Sequence, residues 1–519
     1  MKKEKLYAFL YILFILLGCA NRTFGQSNGV AIASYFEKIS QAKQLNGNIL
    51  LATNGKIIYS RSMGYADFEL KTRNAANSHF NLASISKIFT STAILQLRDK
   101  GLLNLDDRFD KYFPDFPLHD ITIRHLLTHT SGLPDFELYE NLVHEHPDTV
   151  ITNQNIIPEL KRWKNELRLK PGDRFLYCNT GFCLLAMLVE KLSGLQFGTY
   201  LDRNIFRQAG MYATSIRIYS IQPHRTDANA VKAHQMPHPF YDTTYVNADT
   251  MSNYKYITRN CSGLIGQGNI ITTTEDLLKF DNAFFGNRLL KSTSVNEALS
   301  PIKLNDGKIY CADQMDTMLG DGKASYGLGW EIFDQPGYGR SVGHGGYMFG
   351  LATFYFHNLS RNQTVIAFDN TAGSEFGRIV TSAFALLNGN PALPLRSKKS
   401  LVRLYGMALV QQGIDHAASL FNAFKNDTAH FYLNEWEMNY LGGDLFHASS
   451  FAGHQTIGLE VYKLATFIFP ESFNTYDSYG EALRLTGKKQ EAILMYRKSI
   501  ELNPNNEDGK RAIFQMEGQ

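Results

Sequence analysis

Two apolar runs, Gly47-Asn48-Ile49-Leu50-Leu51-Ala52 and Lys56-Ile57-Ile58-Tyr59-Ser60, flank Thr53-Asn54-Gly55. An Asn-Gly pair between apolar runs predicts a β-hairpin, because the tight hairpin turns need positive φ at their central residues. From Ser84 to Lys100 the apolar positions Ile88, Ala93, Ile94, Leu95 and Leu97 keep helical spacing, and Gly101 is a stop signal. A turn over residues 171–176 leads into a second apolar helix, from Thr180 through Leu184, Leu185, Met187, Leu188 and Val189. Residues 272–277 open a third, with hydroxyl caps and Glu275 and Asp276 in the first turn, where acids oppose the helix dipole. Residues 352–356 and 364–368 are continuous apolar runs and predict two buried antiparallel strands. Strands at both ends with helices between them predict one antiparallel sheet, closed by its terminal strands and flanked by helices. The stretch 135–170 is polar, aromatic and helical in pattern; residues 219–258, rich in Tyr, His, Pro and Asn, show little periodicity and predict a surface loop.

The pattern changes near residues 391–399. Between 473 and 506, Tyr476, Tyr479, Gly480, Leu483, Ala492, Tyr496, Ser499 and Pro504 match the spacing of a 34-residue tetratricopeptide repeat. A poorer copy precedes it in Leu441, Gly442, Leu445, Tyr462, Ala465 and Pro470. Such repeats need neighbours, so these two are expected to stack on helices from 400–435 or on the main domain. The expected organisation is a leader over 1–25, a main domain over 28–388 and an all-α domain over 400–519. Repeats of this kind offer a groove to a protein or peptide partner, although two copies serve equally well for internal packing.

Composition narrows the classes. Of 519 residues 44 % are hydrophobic and 19 % charged, which is ordinary for a globular chain of two or three domains. A net charge of +3 without a long Lys/Arg run gives no electrostatic case for nucleic acid. Lys2, Lys3 and Lys5 precede an apolar stretch from Leu6 to Leu17, too short for a comfortable membrane span and suited to a secretory signal. Two processing routes stay open. Leu16-Leu17-Gly18-Cys19 resembles a bacterial lipobox, which would lipidate Cys19, whereas Thr23-Phe24-Gly25 resembles an ordinary cleavage site. The expectation is an exported bacterial protein, periplasmic or an outer-membrane lipoprotein, touching a membrane only through Cys19. Cys19, Cys178, Cys183, Cys261 and Cys311 include no Cys-x-x-Cys pair, so no zinc or redox motif is read, and a Cys261–Cys311 disulfide is left open. His144-x-His146 and His234-x3-His238 lack acids at ligand spacing, so no metal and no cofactor is expected.

Ser84-Ile85-Ser86-Lys87 carries the candidate chemistry. On a helix, positions i and i+3 share a face with Cβ atoms roughly 5–6 Å apart, so an amine there can take a hydroxyl proton if it is neutral. Lowering a lysine from ~10.4 to about 7 needs roughly 4–5 kcal/mol. Residues 82–88 contain no acid, and burial without a counter-anion supplies that bias. Ser-x-x-Lys recurs at Ser40–Lys43 and Ser300–Lys303, so partners must decide. Tyr-x-Asn occurs at 139–141, 177–179, 245–247 and 432–434; the second stands on a turn at a helix start, where Tyr177 and Asn179 can both point into a cleft. Gly343-His344-Gly345-Gly346-Tyr347 precedes the two apolar strands. Glycines flanking an ionisable residue on a sheet edge let a ligand approach the backbone, whose amides can serve an oxyanion.

Together these elements resemble the penicillin-binding and serine β-lactamase superfamily. The branch most similar is the group of class C β-lactamases, D-alanyl-D-alanine carboxypeptidases, D-aminopeptidases and esterases (peptidase S12-like). Residues 126–134 (LLTHTSGLP), 171–179 (PGDRFLYCN), 326–330 (YGLGW) and 343–346 (GHGG) follow that group's order, over roughly residues 30–388. The resemblance implies a β-lactamase-like α/β (α+β) fold: an antiparallel sheet flanked by helices plus a helical subdomain, followed here by the repeat domain. It implies Ser84 as acyl-accepting nucleophile, Lys87 as its base, Tyr177 as proton shuttle and Asn179 as the group orienting the substrate amide or Lys87. The N–H groups of Ser84 and Tyr347 would form the oxyanion hole beside Gly345 and Gly346. Cys178 fits the middle of Tyr-x-Asn without chemistry of its own. His344 stands where many relatives carry the Lys of Lys-Thr-Gly, so a cation and a hydroxyl that grip a substrate carboxylate are missing; a neutral or half-charged His anchors less. His129 is expected to hold its loop by hydrogen bonds. The implied function is an exported serine hydrolase acting on amides or esters, D-amino-acid or peptidoglycan-type peptides first, esters second and β-lactams last. The contrasting class is a catalytically silent sensor with a repeat-mediated partner; Ser84, Lys87 and Tyr177 occurring together argue against it.

Overall fold

The computed structural model describes residues 28–163, 165–217, 227–311, 324–335, 337–394, 398–448 and 453–518; the leader and Cys19 lie outside them. Contacts divide the chain into two units, Met1–Gln235 with Val246–Leu393 and Met236–Tyr245 with Pro394–Gln519.

In the first unit, β1 (Gly47–Thr53) and β2 (Lys56–Ser62) turn at Asn54 and Gly55, whose φ values are 51° and 71°. Late in the unit come β3 (Ser325–Tyr326), β4 (Glu331–Gln335), β5 (Gly339–Met348), β6 (Leu351–Asn358) and β7 (Gln363–Asp369). They form one antiparallel sheet in the order β3-β4-β5-β6-β7-β1-β2, with Leu50 opposite Ile366 and His344 opposite Tyr355. The N-terminal hairpin thus closes the edge left by the last strands.

Every residue of β6 and β7 is buried, and strand parity gives the reason. Tyr355, His357 and Thr364 reach Asp281 of a helix over Thr274–Phe285, while Phe356 meets Phe384 of a helix over Phe376–Leu387. Successive side chains alternate sides, so one helix covers each face and the strands read as unbroken apolar runs. The Thr273 hydroxyl caps the first of these helices through Asp276 N–H.

Two further helices carry site residues: α1 (Ser86–Asp99), entered by a 3-10 turn over Ala83–Ile85, and α2 (Asn179–Ser193), ended by Gly194 in the left-handed region. The sequence pattern starts α1 at Ser84; the chain instead tightens there, and the α-helix proper begins at Ser86. Both helices are buried on nearly all sides, which blurs their amphipathic signal.

The second unit is helical, with successive pairs over Leu401–Gln412 and Ile414–Phe424, Glu435–His447 and His454–Ile468, Phe473–Leu485 and Lys489–Leu502, and a last helix over Glu507–Glu517. In two pairs a glycine faces a tyrosine ring of the next helix. A Cβ on Gly442 would lie 2.9 Å from Tyr462, and one on Gly480 3.2 Å from Tyr496.

Residues 236–245, read above as part of a surface loop, belong to this unit and send two side chains into its interior. Phe240 and Tyr241 are buried in its hydrophobic core with Leu401, Tyr405 and Leu441. Arg403 donates to the carbonyls of Pro239 and Asp242, and His238 Nδ1 is 2.9 Å from Asp444. The segment shows no periodicity because it packs as an irregular tongue, turned at His238 whose carbonyl accepts the Tyr241 and Asp242 N–H groups, and not as a helix or strand.

Candidate active site

The nucleophile turn is built from short-range bonds. Asn81 Oδ1 accepts the Ala83 N–H at 2.8 Å, and Ala83 adopts a φ of 47°, a left-handed conformation that costs a non-glycine residue roughly 1–2 kcal/mol. Ser84 follows, half-buried between buried neighbours. Lys87, one turn on, is fully buried. Its Nζ lies 3.0 Å from Ser84 Oγ, 2.8 Å from Asn179 Oδ1 and 3.0 Å from the Gln267 carbonyl. Burial pulls its pKa from 10.5 down to about 7, against the opposing pull of the Asp135 charge. The three contacts then sort themselves. Asn179 Oδ1 and the Gln267 carbonyl only accept, so they take the two hydrogens of the neutral amine and leave its lone pair for the Ser84 hydroxyl.

Tyr177 enters from the turn before α2. Its hydroxyl bonds to Ser84, its ring centroid is 4.8 Å from Lys87 Nζ, and burial raises its pKa, so it stands as a neutral phenol. His129 backs it, with ring centroids 4.1 Å apart. His129 accepts the Cys178 N–H on Nδ1 at 3.1 Å and the Leu176 N–H on its carbonyl at 2.7 Å, which pins the segment bearing Tyr177. Accepting on Nδ1 puts its proton on Nε2, a buried atom without a hydrogen-bond partner; burial holds its pKa well below the usual value. Cys178 Sγ points to the Pro134 carbonyl, away from the chemistry, and Cys261 and Cys311 are free thiols.

Strand β5 closes the other side. Thr353 Oγ1 donates to the Leu82 carbonyl at 2.9 Å, and a Cβ on Gly346 would stand 2.3 Å from that same oxygen. Only glycine lets the strand rest on the nucleophile turn. Gly345 N–H donates to Glu331 Oε2 at 3.2 Å. Tyr347, 65 % exposed, follows, with Tyr254 and Phe349 stacked nearby at 3.7 Å.

His344 takes the neutral of the two states left open above. It is 1 % exposed, and burial, with Lys87 adding to it, pushes its pKa to about 3. Nδ1 donates to the Gly345 carbonyl at 2.5 Å and Nε2 accepts from the Tyr326 hydroxyl at 3.1 Å. Glu331 Oε1 at 3.8 Å is therefore no ion-pair partner, since the ring is neutral.

The structure thus gathers Ser84, Lys87, Tyr177, Asn179, His344, Gly345, Gly346 and Tyr347 in one region. Three participants lay outside the sequence reading: the Gln267 carbonyl, Glu331 and Asp135. Asp135 Oδ1 accepts the N–H groups of Asn179 and Thr180 at 2.8 and 3.1 Å, and Oδ2 accepts Asn179 Nδ2 at 2.9 Å. The His234–His238 pair disperses: His234 is bonded to Asn370 and Phe68, and His238 to Asp444.

A family model described as Beta-lactamase matches residues 32–388. The chain is 32 % identical over 394 residues to penicillin-binding protein 4* of Bacillus subtilis, across 74 % of this chain and 83 % of that protein. A penicillin binding protein from Bacillus halodurans superposes with a TM-score of 0.55 at 26 % identity, over 68 % of this chain and 99 % of that one. The D-amino acid amidase of Ochrobactrum anthropi gives 0.54 at 21 % identity, over 69 % and 98 %, a likeness of fold.

Proposed function

The chain belongs to the beta-lactamase family, as a serine hydrolase related to penicillin-binding proteins, and on that premise we propose that it is an exported enzyme that acylates Ser84 with amide or ester substrates. The single observation that carries the reading is a buried Lys87, its pKa lowered by burial to about 7, whose Nζ lies 3.0 Å from Ser84 Oγ.

Lys87 takes the Oγ proton as Oγ bonds to the substrate carbonyl carbon, and the carbonyl electron pair moves to oxygen. The N–H groups of Ser84 and Tyr347 receive that oxyanion. On collapse the pair returns, the C–N or C–O bond breaks, and the leaving group takes the Tyr177 proton, which Lys87 replaces. Water then repeats the sequence on the acyl-enzyme, and Ser84 leaves with the proton restored. Neutral His344 offers no positive charge to a substrate carboxylate. That favours amides and peptides of the D-amino-acid or peptidoglycan type, with esters as the second reading, over β-lactams and carboxypeptidase substrates.

The test is a fluorophosphonate probe read by intact mass, on wild type and Ser84→Ala, with p-nitrophenyl esters and D-alanine p-nitroanilide assayed in parallel. Labelling in wild type and none in Ser84→Ala is expected, with turnover of the anilide ahead of the esters. A folded, unlabelled wild type would turn the reading toward the sensor alternative.

A further inference from the structure

We infer that Asp135 is a positioning residue of this hydrolase: it fixes the Asn179 amide so that its oxygen, and never its nitrogen, meets Lys87. The inference rests on the serine-hydrolase reading above.

An asparagine side chain can turn over about its last bond with almost no change of shape, exchanging a donor for an acceptor. Asn179 has Lys87 on one side and Asp135 on the other, at 2.8 and 2.9 Å. A carboxylate only accepts, so Nδ2 must turn to Asp135 and Oδ1 to Lys87. The carboxylate cannot swing away, because its other oxygen is held by the first two N–H groups of α2 at 2.8 and 3.1 Å. Cys178, at the N-cap position of that helix, makes no side-chain cap. One acid, 44 residues upstream, supplies both the cap and the amide's orientation.

The orientation governs Lys87. With the oxygen facing it, the amine always has two fixed acceptors, Asn179 Oδ1 and the Gln267 carbonyl, and presents its remaining valence to Ser84. A turned amide would offer a donor instead and compete for the lone pair that Ser84 needs. The Asp135 charge acts on Lys87 the other way, toward the protonated amine. The groups around Lys87 are Asp135 and Glu331, the thiols of Cys178 and Cys183, the Tyr177 phenol, and the neutral rings of His129 and His344. Of those that favour the ammonium, Asp135 contributes most. Burial raises the Asp135 pKa while its bonds to Asn179 and Thr180 and the Lys87 charge lower it.

The experiment compares wild type, Asp135→Asn and Asp135→Glu in full-length protein. The readouts are the pH profile of kcat/KM on the preferred chromogenic substrate, fluorophosphonate labelling, and Tm. Asp135→Asn keeps an oxygen for the helix N–H groups but loses the charge and the acceptor-only character. Its acidic limb is expected to move down by about one pH unit or more, with kcat reduced roughly tenfold or more and Tm close to wild type. Asp135→Glu keeps the charge on a longer arm, so its limb is expected to stay in place while kcat falls. An unmoved limb in Asp135→Asn, or a wild-type kcat in Asp135→Glu, overturns the inference and leaves Asp135 a helix cap; the second criterion decides alone if Asp135→Asn does not fold. Absence of labelling in wild type would instead sink the hydrolase reading and this inference with it, so the two failures are distinguishable.

Discussion

Two buried polar clusters stand in the first unit, and they use similar side chains to opposite ends. Beneath the sheet, Asp281 accepts from Tyr355 at 2.8 Å, His357 at 3.0 Å and Thr364 at 3.0 Å, and all four residues are buried. Both carboxylate oxygens are taken by groups that sheet pairing holds still. At the reactive cluster Ser84 is half-buried, burial brings the Lys87 pKa down to about 7, and His129 Nε2 has no hydrogen-bond partner. A closed network of matched donors and acceptors rigidifies a core, whereas one left short of partners is reactive and costs stability. The contrast locates chemistry in this fold better than burial or polarity alone.

That contrast can be broken by mutation. Ser84→Ala is expected to cut turnover by about 10⁴-fold or more while leaving Tm unchanged or raised, as a nucleophile contributes rate and not support. Steady-state kinetics beside a melt of the same preparation decides it. Lys87→Met should lose about 10³-fold in acylation yet gain stability, because it removes an amine whose pKa falls from 10.5 to about 7 on folding. Between those two values the unfolded chain binds more protons, so wild-type stability rises with pH across that window. Urea melts at pH 7 and pH 10 should show that slope in wild type and a smaller one in Lys87→Met. Asp281→Ala is the opposite case: a loss of about 3 kcal/mol in stability, from a broken network, with kcat per folded molecule preserved. Equal losses of rate in both clusters would erase the distinction. The smallest effect concerns His344, whose folded pKa of about 3 lies below its ordinary 6.5. It should make wild type lose stability as pH falls from 6.5 towards 3, and His344→Gln should lessen that loss in acid melts.

Much of this architecture was legible from residue order. The Asn-Gly turn specified the β1–β2 hairpin because few residues tolerate its φ values, and the unbroken apolar runs of β6 and β7 reported strands covered on both faces. Ser84, Lys87, Tyr177 and Asn179 were found because their types and spacing reflect a shared proton path. Other parts left no trace. The acceptor from Gln267 is a backbone carbonyl, which any residue would supply. Asp135 is one acid among many until α2 folds back upon it. The charge of His344 depends on burial against Tyr326, a property of the folded sheet. Residues 236–245 misled because aromatic side chains in an aperiodic stretch look alike in a loop and in an irregular piece of core.

That tongue bears on how the protein is made. Residues 236–245 leave the ribosome before residues 246–393, yet their apolar side chains belong to a core whose helices are translated after both. Phe240 and Tyr241 must therefore wait, uncovered, through the synthesis of the intervening chain. A gene cut at the apparent boundary near residue 394 would leave each product incomplete, one carrying an orphaned apolar tongue and the other a core with part of its filling missing.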